Sequence, residues 1–262
     1  MSNHTDRQTL RAKLASGAFL VGSFVKTPAM HIVEIAGLAG LDFVLLDAEH
    51  APFTVHDLDS AILAGRAAQV DVAVRIPSAS PAWIQQALDL GADGIVIPHV
   101  SSVATARAMI AAAHFAGGSR GYSNSPRAGG YGTKAMTDHI EAADSGIAVI
   151  VQIEDKAGVE CVEEIAVLPG IDALFIGRAD LAVAYETFDP TGPTVNQAAE
   201  RITAAAQANG IAVAGFCVDG KAFSAQAGAC SMLVLGSDQL LLRAAWTASA
   251  EEVRLVSRQA SD

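Results

Sequence analysis

The chain has 262 residues, 51% of them hydrophobic but only 5% aromatic, and a formal net charge of -11. A surface this acidic repels nucleic acid and anionic lipid, which excludes both as partners and favours small-molecule chemistry. The length suits one large α/β barrel or two smaller domains, and because no stretch has the composition of a linker, a single domain over residues 1–262 is expected.

The polar start, Met1 to Gly17, precedes an apolar run, Ala18 to Val25, far shorter than the roughly 20 residues of a membrane span. A cytoplasmic protein without a secretory signal is expected. Cys161, Cys217 and Cys230 are odd in number and lack a close C-x-x-C pairing, which fits reduced thiols and implies no zinc framework.

In chain order, a helix is expected over Thr5 to Ala15. Strands are expected at Phe19–Phe24, Phe43–Asp47, Val72–Ile76, Gly94–Pro98, Ala148–Ile153, Ala173–Gly177, Ile211–Gly215 and Ser231–Gly236. Between and after them, helical periodicity marks Pro28–Ala39, Val55–Ala68, Ser80–Leu90, Val103–Ala113, Ala157–Val167, Val195–Ala208, Lys221–Ala227 and Ser237–Val256. This alternation predicts a (β/α)8 TIM barrel, although an open doubly wound sheet shares the local pattern. One long insert, Gly117 to Ser145, reads as irregular and Gly-rich, and is expected to cover the active site.

Side chains alternate along a strand, so the apolar set facing the helices fixes the inward set. On that logic Asp47, Arg75, Gln152 and Glu154 point into the barrel, with His50 returning over the same rim from the turn after Asp47. Asp47 and His50 are expected to meet as an orienting pair. Glu154 and Asp180 follow successive strands, and two acids so placed would anchor a hard divalent cation with open positions for substrate. Each has a plainer reading. A strand-end acid also caps helices, Arg75 would plug the barrel if paired with Asp47 or Glu49, His50 would cap its turn, and His99 is expected as a buried, hydrogen-bonded core histidine. Lys26, at a strand end, would supply a Schiff base in a metal-free mechanism.

Five stretches in order, Leu45–Pro52, Val74–Pro77, Leu88–Ala92, Val151–Glu154 and Phe175–Leu181, resemble the HpcH/HpaI aldolase/citrate lyase family, above all its 4-hydroxy-2-oxoheptanedioate and 2-keto-3-deoxy sugar-acid aldolases. The resemblance implies a class II aldolase dependent on Mg2+ or Mn2+, with Co2+ also admitted, cleaving a 4-hydroxy-2-oxo acid to pyruvate or hydroxypyruvate plus an aldehyde. It further implies Glu154 and Asp180 as metal ligands and Gln152 beside the bound 2-oxo acid. Arg75 would touch the keto oxygen, backbone N–H groups around Gly177, Arg178, Ala179 and Asp180 would hold the carboxylate, and His50, supported by Asp47 or Asp89, would be the acid/base. Asp89 would do so by reaching a neighbouring subunit, its plainer reading being a solvated charge near the end of a helix. The family also suggests a hexamer in which the C-terminal helix is exchanged between subunits. Where relatives commonly have Gly-Pro-Ala-Asp-Leu-Ser, this chain has Gly177-Arg-Ala-Asp-Leu-Ala182, so Arg178 is free to read an acidic substrate tail. The rival readings are an acyl-CoA lyase of malyl-CoA or citramalyl-CoA type, which 17 Lys plus Arg serve poorly, and a catalytically inactive metabolite-binding barrel.

Overall fold

In the computed structural model, which describes residues 8–226 and 230–259, every expected strand is present and pairs in parallel with the next. They are β1 (Leu20–Val25), β2 (Phe43–Asp47), β3 (Asp71–Arg75), β4 (Gly94–Ile97), β5 (Ala148–Ile153), β6 (Ala173–Ile176), β7 (Ala212–Cys217) and β8 (Met232–Ser237), and β8 closes on β1. The closed barrel settles the choice between barrel and open sheet.

The helices are α1 (Leu10–Ala15), α2 (Met30–Leu38), α3 (Val55–Ala68), α4 (Pro81–Asp89), α5 (Val103–Ala113) and α6 (Met136–Gly146). They continue as α7 (Lys156–Glu160), α8 (Val162–Ala166), α9 (Arg178–Ala184), α10 (Pro193–Ala208), α11 (Gly220–Gln226) and α12 (Asp238–Gln259). Thr5 and Ala227, placed in helices by the sequence, lie outside the described residues. Local chemistry starts several of these elements. Thr54 and Asp57 form a reciprocal capping box at α3, and Pro81 opens α4, where its missing N–H costs nothing.

Three elements differ from expectation. The helix expected over Ala157–Val167 breaks at Cys161, which leaves helical geometry (φ -114°, ψ 18°). The short α9 was not foreseen. The second half of the long insert is helical, as α6, after a 3-10 turn at Arg127–Gly129. Helix α6 buries only His139, so it carries no apolar stripe for periodicity to detect.

Alternation along the strands sorts the core into two layers. Val44, Leu46, Val72, Val74, Val149 and Val151 pack against the helices, whereas Phe43, Leu45, Ala73, Val96, Ile150 and Phe175 fill the barrel interior. Leu10 and Leu14 of α1 complete that interior cluster at its base. Helix α1 is fixed there by ion pairs from Arg11 to Asp172 (2.9 Å) and from Lys13 to Asp71 (2.7 Å). At the other end, the C-terminal ends of the strands, the inward rows turn polar.

Strand and helix directions also place the insert. Each helix runs back from mouth to base, so every helix-to-strand connection lies at the base. The insert joins α5 to β5 and therefore begins and ends there, and it runs along the outer faces of α3 and α4, with Arg127 donating to the carbonyls of Asp59 (3.1 Å) and Leu90 (3.2 Å). Within this chain it does not cover the barrel mouth, contrary to expectation. Among the described residues no helix is long and apolar enough to cross a membrane.

Helix α12 leaves the barrel. Both oxygens of Asp238 accept backbone N–H groups of the β1–α2 turn, from Lys26 (2.8 Å) and Thr27 (3.0 Å). Beyond this first turn none of its 22 residues is buried, and Leu241, Leu242, Trp246, Val253, Leu255 and Val256 are exposed.

Candidate active site at the barrel mouth

The inward residues at the strand ends converge as the alternation requires. Asp47, fully buried at the end of β2, receives Arg75 through two hydrogen bonds, Nε to Oδ1 at 3.0 Å and Nη2 to Oδ2 at 2.8 Å, and Lys26 Nζ at 2.7 Å. Burial alone would raise the Asp47 carboxyl; the hydrogen bonds and charge of Arg75, followed by Lys26, hold it below the ordinary carboxylate range. Arg75 Nε also lies 3.2 Å from Glu49 Oε2, and its guanidinium stands 4.7 Å from the Phe24 ring. The guanidinium thus has the anionic partners that its burial demands, and still borders the pocket. Lys26 is held in an ion pair rather than in the apolar setting that would favour a Schiff-base amine.

Glu49 and His99 form the part of the site that sequence reasoning missed. His99 follows β4 with a left-handed backbone (φ 55°), a conformation rare outside glycine that here aims two donors at one acceptor. Its backbone N–H donates to Glu154 Oε1 at 2.7 Å, its Nδ1 lies 3.2 Å from the same oxygen, and its Nε2 lies 3.0 Å from Glu49 Oε1. With 58% of its side chain exposed, His99 is not the core histidine expected. The Pro98-His99 pair at a strand end was the available signal.

Ligand atoms of Glu49, His99 and Glu154 all lie within 4.8 Å of one another. Among the described residues, the buried Gln152 Oε1 has no hydrogen-bond donor, and Glu49 Oε2 has only ion-pair contacts, with Arg75 and His50. The Glu154 carboxyl is pushed up to about 7 by burial, against its bonds to His99, with Asp180 and Glu49 adding repulsion. Convergent carboxylates and an imidazole, with the unpartnered Gln152 Oε1 beside them, suit a hard divalent cation. Asp180, in the first turn of α9, lines the same pocket and repels Glu154, but stands outside the convergent group of three.

Gln152 Nε2 donates to Glu154 Oε2 in a short contact. Gly177 is required beside this pair, because a Cβ there would come within 2.5 Å of Glu154 Cβ and 3.3 Å of Gln152 Nε2. The Gly177 N–H is already used, donating to Ile153 O at 3.0 Å. Helix α9 begins at Arg178 without a side-chain cap, so the first-turn N–H groups of Arg178, Ala179 and Asp180 are the ones oriented for an anion. Arg178 is half-buried in the pocket wall and, among the described residues, bonds only neutral groups, Asn196 Oδ1 at 2.7 Å and Pro190 O at 3.2 Å.

His50 also lines the pocket, but its imidazole does not meet Asp47. The Asp47 carboxylate accepts the His50 backbone N–H at 3.1 Å, while the half-exposed ring has Glu49 Oε2 at 3.8 Å. Asp89 lies elsewhere. It ends α4 at the base, paired with Arg120 at 2.8 Å, and the structure does not bring it together with His50 of the same chain. The mouth pocket encloses about 720 Å³.

The family model of HpcH/HpaI aldolase/citrate lyase matches residues 20–245, a span that takes in all of these groups. The chain belongs to this family. A 5-keto-4-deoxy-D-glucarate aldolase of Salmonella gallinarum is 34% identical over 212 residues, covering 80% of this chain and 82% of that protein. Among solved structures, a HpcH/HpaI family protein from Burkholderia cenocepacia superposes with a TM-score of 0.88 at 31% identity, over 94% of this chain and 98% of that one. The citrate synthase SbnG does so with a TM-score of 0.86 at 25% identity, over 96% and 100%. Relatives named aldolases place this HpcH/HpaI member among the carbon–carbon lyases, while SbnG shows that the shared barrel carries more than one such chemistry.

Proposed function

We propose that the protein is a divalent-metal-dependent aldolase that reversibly cleaves a 4-hydroxy-2-oxo acid to pyruvate, or hydroxypyruvate, and an aldehyde. The observation that carries this reading is the convergence of Glu49, His99 and Glu154 next to Arg75 in one mouth pocket. Glu154, Glu49 and His99, with Asp180 beside them, would hold Mg2+ or Mn2+, which as a Lewis acid favours electron flow toward the 2-oxo oxygen.

The chain's own groups supply the rest. Arg75, fixed in advance by Asp47 and Glu49, faces the negative charge that grows on that oxygen as the bond breaks. The first-turn N–H groups of α9 orient the C1 carboxylate. His50, half-exposed and so able to exchange protons with water, takes the C4 hydroxyl proton. The C4–O electrons form the aldehyde carbonyl, the C3–C4 pair moves toward the 2-oxo group, and C3 is then protonated to give the 2-oxo acid product.

Arg178, whose partners among the described residues are all neutral, reads an acidic tail on the substrate. Burial already draws its pKa down, against the pull of Glu200, and a substrate carboxylate would offset that cost. The exposed apolar face of α12 is covered by a second copy of the chain, as a helix exchanged within a hexamer would be.

The test is 2-oxo acid release from a panel of 4-hydroxy-2-oxo acids, led by keto-deoxy sugar acids because of the Salmonella relative's name. The protein is stripped with EDTA and Mg2+ or Mn2+ is restored, with Glu154→Ala as control. Restored turnover absent from the variant supports the proposal. Turnover that survives chelation and is trapped by borohydride would sink it in favour of Lys26.

A further inference from the structure

Arg178, at the start of α9, reaches across to α10 and is held there by one nitrogen. Its Nη1 donates to Asn196 Oδ1 at 2.7 Å and to Pro190 O at 3.2 Å. Its Nε and Nη2 make no hydrogen bond among the described residues, and both keep accessible surface. Those two atoms form the same edge through which Arg75 grips Asp47, at 3.0 and 2.8 Å. A guanidinium anchored at Nη1, with that edge open in a pocket wall, is set for the two oxygens of a carboxylate.

The anchor is itself braced. Asn196 Nδ2 donates to Thr191 O at 2.8 Å, so the amide presents its oxygen to Arg178. A flipped amide would set donor against donor at one end and acceptor against acceptor at the other. The Asn196 backbone N–H donates to Gly192 O at 3.0 Å, in the first turn of α10. The turn carrying Pro190 and Thr191 is closed by Asp189, whose Oδ1 accepts from the Thr191 N–H at 2.9 Å and from its hydroxyl at 2.7 Å, and whose carbonyl accepts the Gly192 N–H at 3.1 Å. Little freedom is left to the amide that aims Arg178.

The cage is also neutral. Both acceptors of Nη1 are uncharged, and Glu200, one turn beyond Asn196 on α10, acts on Arg178 only through space. Aspartate has nearly the shape of asparagine, so an acid at position 196 would neutralise Arg178 from the same place. Asparagine fixes the direction of the guanidinium and leaves its charge for a ligand.

We propose that Asn196 is a positioning residue that sets the preference for an acidic substrate, by holding Arg178 with its Nε–Nη2 edge open and its charge uncompensated. This rests on the aldolase reading above and on Arg178 as the reader of the acidic tail. It also gives that tail a chemistry, a terminal carboxylate rather than a hydroxyl or a carboxamide, since only the carboxylate offers two charged acceptors to the open edge.

The experiment is condensation of pyruvate, in Mn2+, with glyoxylate, succinic semialdehyde and glutaric semialdehyde, each compared with the aldehyde bearing a carboxamide in place of the carboxylate. The readout is the ratio of kcat/KM between acid and amide, which a general loss of activity leaves untouched. Wild type should favour at least one acid by about tenfold or more, expressed in KM. Asn196→Asp, which sets a carboxylate against Arg178, should abolish the preference, and Asn196→Ala should weaken it. Arg178→Gln should abolish it too, and adding Asn196→Asp to that variant should change nothing more, because Asn196 acts through Arg178. Deuterium exchange at C3 of pyruvate, in Mn2+ and without aldehyde, reads the aldolase chemistry separately. Exchange with no acid preference in wild type, with a preference that Asn196→Asp retains, or with a further change in the double variant overturns the inference and leaves the aldolase reading standing. Absence of exchange overturns both.

Discussion

At Glu154, burial and the neighbouring carboxylates Asp180 and Glu49 act together to keep a proton on the metal-free side chain. The folded value of about 7 lies above the ordinary 4.5, so the folded chain binds this proton more tightly than the unfolded one. The stabilising contribution is therefore full below about pH 4.5, declines as pH rises, and is gone above about 7. The Tm of EDTA-treated protein should fall across that window, Glu154→Gln should flatten the fall, and Mg2+ or Mn2+ should oppose it by taking up the deprotonated carboxylate. Gly177 gives a second prediction. In Gly177→Ala, a Cβ 2.5 Å from Glu154 Cβ must displace the acid, which should cost about 1–3 kcal/mol in denaturant unfolding and weaken metal binding by calorimetry. Asp47, Arg75, Gln152 and Glu154 were legible because a period of two assigns faces without knowledge of the fold. His99 was not, since the Pro98-His99 pair marks a strand end but does not specify the left-handed φ on which the role of His99 depends. Glu49 sits in the turn after β2, where strand alternation no longer says which way a side chain points.

Among the elements, α1 acts as the floor of the barrel. Leu10 and Leu14 belong to the interior cluster with Phe43, Leu45 and Ile150, so Leu14→Ala opens a hole that the rigid strand ring closes poorly. A loss of about 2–5 kcal/mol is expected by chemical denaturation, with the affinity for Mn2+ at the mouth little changed. The separation of base from mouth also explains the insert. Its length and glycines suggested a cover for the active site, but its position after a helix and before a strand already assigns it to the base. Connectivity was the better guide there, and composition the worse one. Helix α6 was hidden for a different reason, because a helix that buries one residue of eleven has no apolar rhythm.

For the molecule as a whole, α12 is the unresolved account of apolar surface. A helix of 22 residues with Trp246, Val253, Leu255 and Val256 all exposed is a liability for an isolated chain and a contact surface for an assembled one. Light scattering should find an oligomer, and Trp246→Glu should shift it toward smaller species while leaving the far-ultraviolet circular dichroism of the barrel unchanged. The closed sheet was readable from the alternation of eight strands with helices; the projection of α12 was not, since its apolar residues look the same whether they pack at home or abroad.

The anchor of that helix reaches further than the helix itself. The two Asp238 oxygens hold the N–H groups of Lys26 and Thr27, and the Lys26 ammonium rests on Asp47, the carboxylate that orients Arg75. Three links therefore join the departing helix to the guanidinium in the mouth pocket. Dilution that frees α12 should slacken this chain, so specific activity should fall with protein concentration along the same curve as the loss of assembly.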